Sequence, residues 1–296
     1  MTTSFGKDLT GKEIREKVSN FYDLGSPLYL EVYGKHIHDG YYITGKETKQ
    51  EAQENLTKLL IEKTGIQKGA KILDVGCGVG GSSIWLAEKY GATTVGITIS
   101  PVQVDIARKL VKEKGVDSTF ILMNAEEMHF DETFDVIWLL AAATHFRDQQ
   151  KFIKLATKSL NKGGKFIIFD WMLDEHVTDP LNDQYIQTVA DKMLLSTLYS
   201  LNTYLKWFID NGYRIIYSED VTAHTIKTWD DALSVIKQPA VLKLAARVTK
   251  KEVGEIFNFL KSIGAMKTAM KKGKLKAGIV IAEKLLIIDC LVSGLK

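Results

Sequence analysis

A doubly wound α/β sheet, seven-stranded and mostly parallel under a helical cap, is the fold this sequence predicts, and three observations predict it. Strand-like runs alternate with helix-like segments from about residue 50 onward. The runs are apolar almost without interruption, which suits strands buried on both faces of a parallel sheet. A glycine-rich turn follows the first of them, at the carboxyl end of a strand, where open α/β sheets bind ligands.

Taken in order, Ala52, Leu56, Leu59 and Leu60 recur at helical spacing ahead of the first strand, KILDV at 71–75. TTVGI at 93–97 is the second strand. Ser100 then has the hydroxyl of an N-cap and Pro101 suits the first helical position, with Val102, Ile106 and Leu110 marking that helix's apolar face. TFILM at 119–123 and FDVIWL at 134–139 are the third and fourth strands. Lys162-Gly163-Gly164 reads as a helix C-cap and turn before the fifth, KFIIFDW at 165–171. Beyond Trp171 the regularity weakens. Residues 173–212 read as mostly helical, with Leu194, Leu195, Leu198, Leu201, Leu205 and Phe208 as apolar candidates. YRIIYSE at 213–219 is strand-like, 229–264 is helical, and AGIVIAE at 277–283 is the last strand. The segments 1–50, 173–212 and 220–270 lie outside the core alternation and are placed over the carboxyl ends of the strands.

The chain has 296 residues, 45% hydrophobic and 25% charged, which excludes disorder. A net charge of +3, from 39 Lys and Arg against 36 Asp and Glu, is too balanced to point to nucleic acid. Two cysteines, Cys77 and Cys290, leave no disulfide scaffold and no Cys-rich zinc site, as in a reducing compartment. The start carries no apolar signal region, and no apolar run approaches the ~20 residues of a membrane span. A cytoplasmic protein without integral membrane association is expected. With no repeat and no low-complexity linker, residues 1–296 read as one domain. Its parts are N-terminal lid helices (1–65), a cofactor-binding core (66–175), a substrate cap with the last strands (176–284), and an apolar tail (285–296) that packs on the core or joins copies into a homo-oligomer.

The strongest local signal is Asp74-Val75-Gly76-Cys77-Gly78-Val79-Gly80-Gly81. Glycines there let the backbone turn tightly and approach a ligand with no Cβ in the way. Gly76, Gly78 and Gly81 satisfy GxGxxG, so a dinucleotide site has to be weighed. Such a site expects an acid about 20 residues on to hold a ribose, whereas the second strand ends Gly96-Ile97-Thr98-Ile99-Ser100. Asp74 would also repel a pyrophosphate, so a cationic or zwitterionic ligand suits it better. A turn that serves packing alone is the blander reading.

ILDVGCGVGG, VGITISPVQV, NAEEM and LNKGGKFIIFDW together resemble a class I S-adenosylmethionine-dependent methyltransferase with a Rossmann-like fold, over about residues 20–175. The likeness is to the group of tocopherol, sterol and other small-molecule methyltransferases, and distantly to cyclopropane fatty-acid synthases. FYDLGSPLYLEVYGKHIHDGYY at 21–42 resembles that group's lead-in. The resemblance implies that the backbone of Gly76, Gly78 and Gly80 approaches the methionine part of the cofactor and that Asp74 supports its amino end. It places Thr98 and Gln103 at the ribose, and the Ala125 amide and Glu126 carboxylate at the adenine edge. Tyr22, with Tyr41 and Tyr42 nearby, falls on a lid over the sulfonium, where an aromatic face favours a cation. Asn124, Leu140 and Cys77, a small filler of the loop, complete the set.

Methyl transfer is an in-line displacement in which the protein supplies alignment, exclusion of water and, where needed, a base. Of the 6 histidines, His145 follows a central strand and resembles the family's substrate-side histidine, as base or orienter of the acceptor. His36 and His38 share a face if extended and are weaker candidates, with a lid hydrogen bond as their plain reading. No His, Cys or Asp spacing suits a metal. Relatives commonly carry glutamates after the fourth strand. This chain has Ala141 and Thr144 there, so the floor reads as poor in carboxylates and away from cyclopropane chemistry. Trp171, Trp207, Trp229 and Phe208 are candidates to line the pocket, with core packing as the default. The sequence thus reads as a methyltransferase for an apolar small-molecule acceptor, a specialised metabolite methylated on nitrogen, carbon or oxygen. Two alternatives stand beside it: a methyltransferase of sterol, prenylquinol or fatty-acyl lipids, and a non-catalytic S-adenosylmethionine-binding subunit.

Overall fold

A computed structural model describes residues 3–5, 9–235 and 250–285. In chain order the elements are β1 (Thr3–Ser4), α1 (Gly11–Tyr33), α2 (Lys49–Thr64), β2 (Lys71–Val75), α3 (Gly81–Tyr90), β3 (Thr93–Thr98), α4 (Pro101–Lys114), β4 (Ser118–Leu122) and β5 (Phe134–Leu140). They continue as α5 (Gln149–Lys158), β6 (Leu160–Leu173), α6 (Gln184–Met193), β7 (Thr197–Leu198), α7 (Leu201–Asp210), β8 (Tyr213–Asp220), α8 (Thr222–Thr225), α9 (Lys227–Val235), α10 (Lys250–Lys271) and β9 (Leu275–Lys284). The main sheet has seven strands in the order β4-β3-β2-β5-β6-β9-β8, and β9 alone runs antiparallel to its neighbours. A doubly wound, mostly parallel α/β fold is what the sequence predicts and what the chain forms.

The apolar runs are strands because both their faces are covered. In β5 and β6, Val136, Trp138, Ile167 and Phe169 pack with α2, α6 and α10 on one side of the sheet. Their alternates Ile137, Leu139, Phe166 and Ile168 pack with α5 and α7 on the other. That is the period of two of a strand, applied to a sheet with no wet face.

Three local expectations need correction. Lys162-Gly163-Gly164 does not cap a helix: α5 ends at Lys158 with Ser159 as its cap, and the three residues run inside β6, beside the register shift opposite Phe134 and Val136. In α4 the fully buried residues are Gln103, Val104 and Ala107, with Val102, Ile106 and Leu110 only half-buried; Gln103 goes inside because Thr98 and Ser26 of α1 take its amide, and Leu110 packs at the edge of the same cluster. The stretch 173–212 is two helices, α6 and α7, separated by the short strand β7, which pairs with β1. Beyond Leu285 the apolar tail, Cys290 included, lies outside the described residues.

The lid is α1 and the segment after it. Thr10 and Glu13 close a capping box at its start. From there α1 crosses the carboxyl ends of β3 and β4: Ser19 Oγ donates to the Ile99 carbonyl at 2.9 Å and Asp23 accepts from Ser100 Oγ at the N-terminus of α4. At its far end Tyr33 Oη donates to the Ala232 carbonyl of α9 at 3.2 Å. The lid therefore bridges the first half of the sheet and the cap helix that follows β8.

Candidate active site

One cavity opens beneath this lid, bounded by the β2–α3 loop, the ends of β3 to β5, α1, and the cap residues Trp171, Met193 and Trp229. Its two halves differ in chemistry. On the sheet side, Gly76 has φ +71°, Gly78 has φ +56°, and both line the wall with backbone. Asp74, 3% exposed, accepts from Ser83 Oγ at 2.6 Å, and burial pushes its carboxyl up to about 7. Thr98 Oγ1 donates to Gln103 Oε1 at 2.7 Å, and Gln103 Nε2 reaches Ser26 of α1 at 3.1 Å, so both residues are fixed from above and below. Asn124 caps the turn that carries Ala125 and Glu126, accepting the Glu126 amide at 3.1 Å. Glu126 Oε1 accepts two backbone amides, from Arg147 and Asp148, each at 3.1 Å.

Cys77 and Leu140 also line the cavity, but Gly80 does not. Its φ of +84° starts α3, and a Cβ there would sit 2.4 Å from the Phe120 ring. Gly81 serves a different contact, since a Cβ on it would lie 2.2 Å from the Lys35 carbonyl. The helix N-terminus and the lid segment thus touch backbone to backbone, and Gly81→Ala has to lift the lid. Overpacking of this kind costs about 1–3 kcal/mol, and differential scanning calorimetry should show a lower Tm with weakened ligand binding. An unchanged Tm would mean the lid does not seat there.

The opposite half is aromatic. Tyr22, Tyr29 and Tyr33 from α1 line it together with Trp171 and Trp229, whose ring centroids lie 5.5 Å apart. Tyr29 and Tyr33 were not legible as site residues, since at sequence level they are two more aromatics on an amphipathic helix. Tyr41 instead stacks on His224 with ring centroids 4.4 Å apart, Tyr42 donates to Asp231 at 2.6 Å, and neither lines the cavity. Trp207 and Phe208 pack behind the sheet.

His145 sits at the join of the two halves. Its Nδ1 lies 3.1 Å from the Leu194 carbonyl, which can only accept, so Nδ1 carries the hydrogen and Nε2 the lone pair. Tyr22 Oη, 2.9 Å from Nε2, donates to it. Burial lowers the His145 pKa, which keeps the ring neutral, and burial raises that of Tyr22, which keeps its proton on. Leu194 holds φ +56° as the cap of α6, a left-handed conformation uncommon for leucine that turns its carbonyl to the histidine. His36 and His38 also line the cavity, 3.2 Å apart (Nδ1 to Nε2), with Gln53 Nε2 donating to both their carbonyls. Burial above all pushes them down to about 3 and about 4. Neutral and tied to Gln53 and Ser82, they anchor the lid.

The floor also differs from its sequence reading. Ala141 and Thr144 do stand after β5, and Ala141 holds φ +52°. Beneath them, however, Asp170 of β6 is fully buried and accepts the Ala143 amide at 2.7 Å, and Asp39 lines the cavity wall. The expected scarcity of carboxylates is a property of one loop and not of the site. Among the described residues, no group of three or more His, Cys, Asp or Glu is placed to hold a metal ion.

Comparison with known proteins agrees with this geometry. Residues 10–268 match the family model described as mycolic acid cyclopropane synthetase. The chain belongs to that family. It is 28% identical to the chloroplastic tocopherol O-methyltransferase of Arabidopsis thaliana over 92% of this chain and 82% of that one. It is 30% identical to the 2-methyl-6-phytyl-1,4-hydroquinone methyltransferase of a Synechocystis strain over 83% and 82%. Among solved structures, the cyclopropane synthase CmaA1 complexed with S-adenosylhomocysteine and CTAB superposes with a TM-score of 0.80 (23% identity; 91% of this chain, 98% of that one). The [4+2]-cyclase SpnF superposes with 0.77 (24%; 92% and 97%), so the fold alone does not name the reaction. The chain is an S-adenosylmethionine-dependent methyltransferase, and its site fits that cofactor. A buried carboxylate at Asp74 suits an ammonium, and the backbone at Gly76 and Gly78 leaves the wall free of side chains. No helix among the described residues is long and apolar enough to cross a membrane.

Proposed function

We propose that the chain methylates a largely apolar small molecule held in the aromatic half of the cavity, between Tyr29, Tyr33, Trp171 and Trp229. The continuity of that half with the glycine-loop half, with Tyr22 and His145 at the join, carries this reading. The cofactor supplies a methyl group on a positively charged sulfur. Residues Asp74, Gly76, Cys77, Gly78, Thr98, Gln103, Asn124, Ala125, Glu126 and Leu140 bind it, and Gly80 supports the loop from behind. The lid keeps water out. Because the Tyr22 hydrogen is committed to His145 Nε2, the tyrosine oxygen offers its lone pairs to an acceptor N–H or O–H, and Nε2 can take up a proton released through it.

Calorimetric titration with S-adenosylmethionine and S-adenosylhomocysteine, beside NADH, tests the cofactor half; labelled-methyl transfer into metabolite extracts tests the acceptor half. Binding of NADH alone would sink the reading. Affinity for S-adenosylhomocysteine should also depend on pH through Asp74. The free carboxyl, raised to about 7 by burial, must ionise to meet the ligand's ammonium, so binding releases a proton. Affinity then falls as pH drops below about 7, by at most about ten-fold per pH unit for one proton, and levels off above it. Asp74→Asn should bind more weakly with a flat profile.

The acceptors of the two plant and cyanobacterial relatives, a tocopherol and a phytyl hydroquinone, favour a second reading, a prenylated phenol. Co-sedimentation with anionic liposomes at low salt separates it from a freely diffusing acceptor.

A further inference from the structure

Of the carboxylates that line the cavity, Asp39, Asp74 and Glu126, Asp39 is the one bonded to an aromatic side chain of the wall, Trp171. Asp39 is 3% exposed, and Trp171 Nε1 donates to its Oδ2 at 3.0 Å. We infer that Asp39 selects the acceptor class: the methyl acceptor carries a basic nitrogen, a protonated amine that enters with its ammonium on Asp39 and is methylated on that nitrogen. This rests on the methyltransferase reading above and narrows its acceptor.

Charge is what selects. The field at Asp39 turns negative as the two carboxyls ionise: Asp170 of β6 acts on Asp39 electrostatically, and burial pushes Asp170 too up to about 7. Burial first, then Asp170, pushes the Asp39 carboxyl up to about 7 against the Trp171 hydrogen bond, so it is poised to exchange a proton near neutrality. The flanking histidines, His36 and His38, are neutral and do not answer that field. Two lysines, Lys35 beside His36 and Lys49 of α2, also line the cavity, and the better placed against the aromatics is Lys49. It lies over the Tyr33 ring, 3.7 Å from the centroid, with Asp231 of α9 acting on it, and burial lowers it to about 8. Aromatic faces around a carboxylate favour an organic cation.

The reaction then balances without any other reagent. The ammonium gives one proton to Asp39, and the freed lone pair forms the new N–C bond. The C–S electron pair returns to sulfur, and positive charge passes from sulfur to nitrogen beside the carboxylates. A phenol or enol enters neutral and brings no positive charge to pair with Asp39, and the anion it forms in the site is disfavoured by the like charge nearby.

The experiment uses the full chain saturated with S-adenosylhomocysteine and three probes of one shape: 2-phenylethylamine, 2-phenylethanol and 3-phenylpropanoate. Calorimetry should show the amine binding about ten-fold tighter than the alcohol, with the carboxylate weakest. Asp39→Asn, whose amide oxygen still accepts the Trp171 N–H, should erase that preference and leave S-adenosylhomocysteine affinity intact. An alcohol that matches the amine, a carboxylate that binds best through Lys49, or an amine preference that survives Asp39→Asn overturns the inference. A labelled-methyl screen of an aryl-alkyl amine pool against a phenol pool gives a second readout. Label on nitrogen supports the assignment, and label on phenols alone overturns it. Failure to bind S-adenosylhomocysteine at all would instead remove the cofactor reading, which separates the two failures.

Discussion

His145→Ala is expected to lower methyl transfer by about 10²–10⁴-fold while changing S-adenosylhomocysteine affinity little. The reason is local. His145 Nε2 receives the Tyr22 hydrogen, and Nδ1 holds the Leu194 carbonyl. Without the ring, the Tyr22 hydrogen turns toward the acceptor and the tyrosine becomes a donor where the reaction needs an electron pair. The residues of the glycine loop are untouched. Steady-state kinetics with the acceptor returned by the extract screen, beside calorimetry, makes the measurement. Tyr22→Phe keeps the aromatic face and loses only the hydroxyl, so it should share most of the loss in kcat. Full turnover in both variants would remove the pair from the chemistry.

Gly76→Ala should act on the other half of the site and cost S-adenosylhomocysteine at least about 5-fold in affinity. Two penalties combine. An alanine at φ +71° pays about 1–2 kcal/mol for the left-handed conformation. Its Cβ would also lie 2.4 Å from that of Ala142, a clash of about 1–3 kcal/mol. The first falls on Tm in free and bound protein alike; relief of the second displaces the loop from the ligand wall, and about 1–3 kcal/mol lost there is about 5- to 150-fold in affinity. Gly91→Ala is the control, since Gly91 shares the strained backbone (φ +69°) but a Cβ there meets nothing within 4 Å. It should lower Tm modestly and leave affinity alone. Equal affinities for the two variants would mean that the loop's contact with Ala142 does not shape the site.

Gly76 and His145 were both legible in the sequence, one from a strand–glycine–helix pattern, the other from its place at the end of a central strand. What each touches was not. Ala142, Leu194 and Tyr22 meet them only after the chain has turned back on itself, and Leu194 read as one leucine among several in an apolar stretch. Tyr29, Tyr33 and Asp39 escaped for the same reason: their neighbours lie on the cap. Trp171 contacts Asp39 from 132 residues away in the chain, and no spacing rule spans that distance. The reading of a carboxylate-poor floor holds for the loop after β5 and stops there: it could not see Asp39, which reaches the cavity from the lid.

Local sequence rules were enough to set the order and nature of the core elements and the position of the glycine turn. A strand buried on both faces has to be apolar throughout, and a loop that brings backbone to a ligand has to shed its side chains; both rules act within a few neighbouring residues. Which glycine lines the cavity and which faces Phe120 or the lid, which face α4 buries, which tautomer His145 holds, and which carboxylate joins Trp171 in the wall were settled only by tertiary structure. Each of those is set by packing between segments far apart in the chain, where burial and a single hydrogen bond outweigh any local preference.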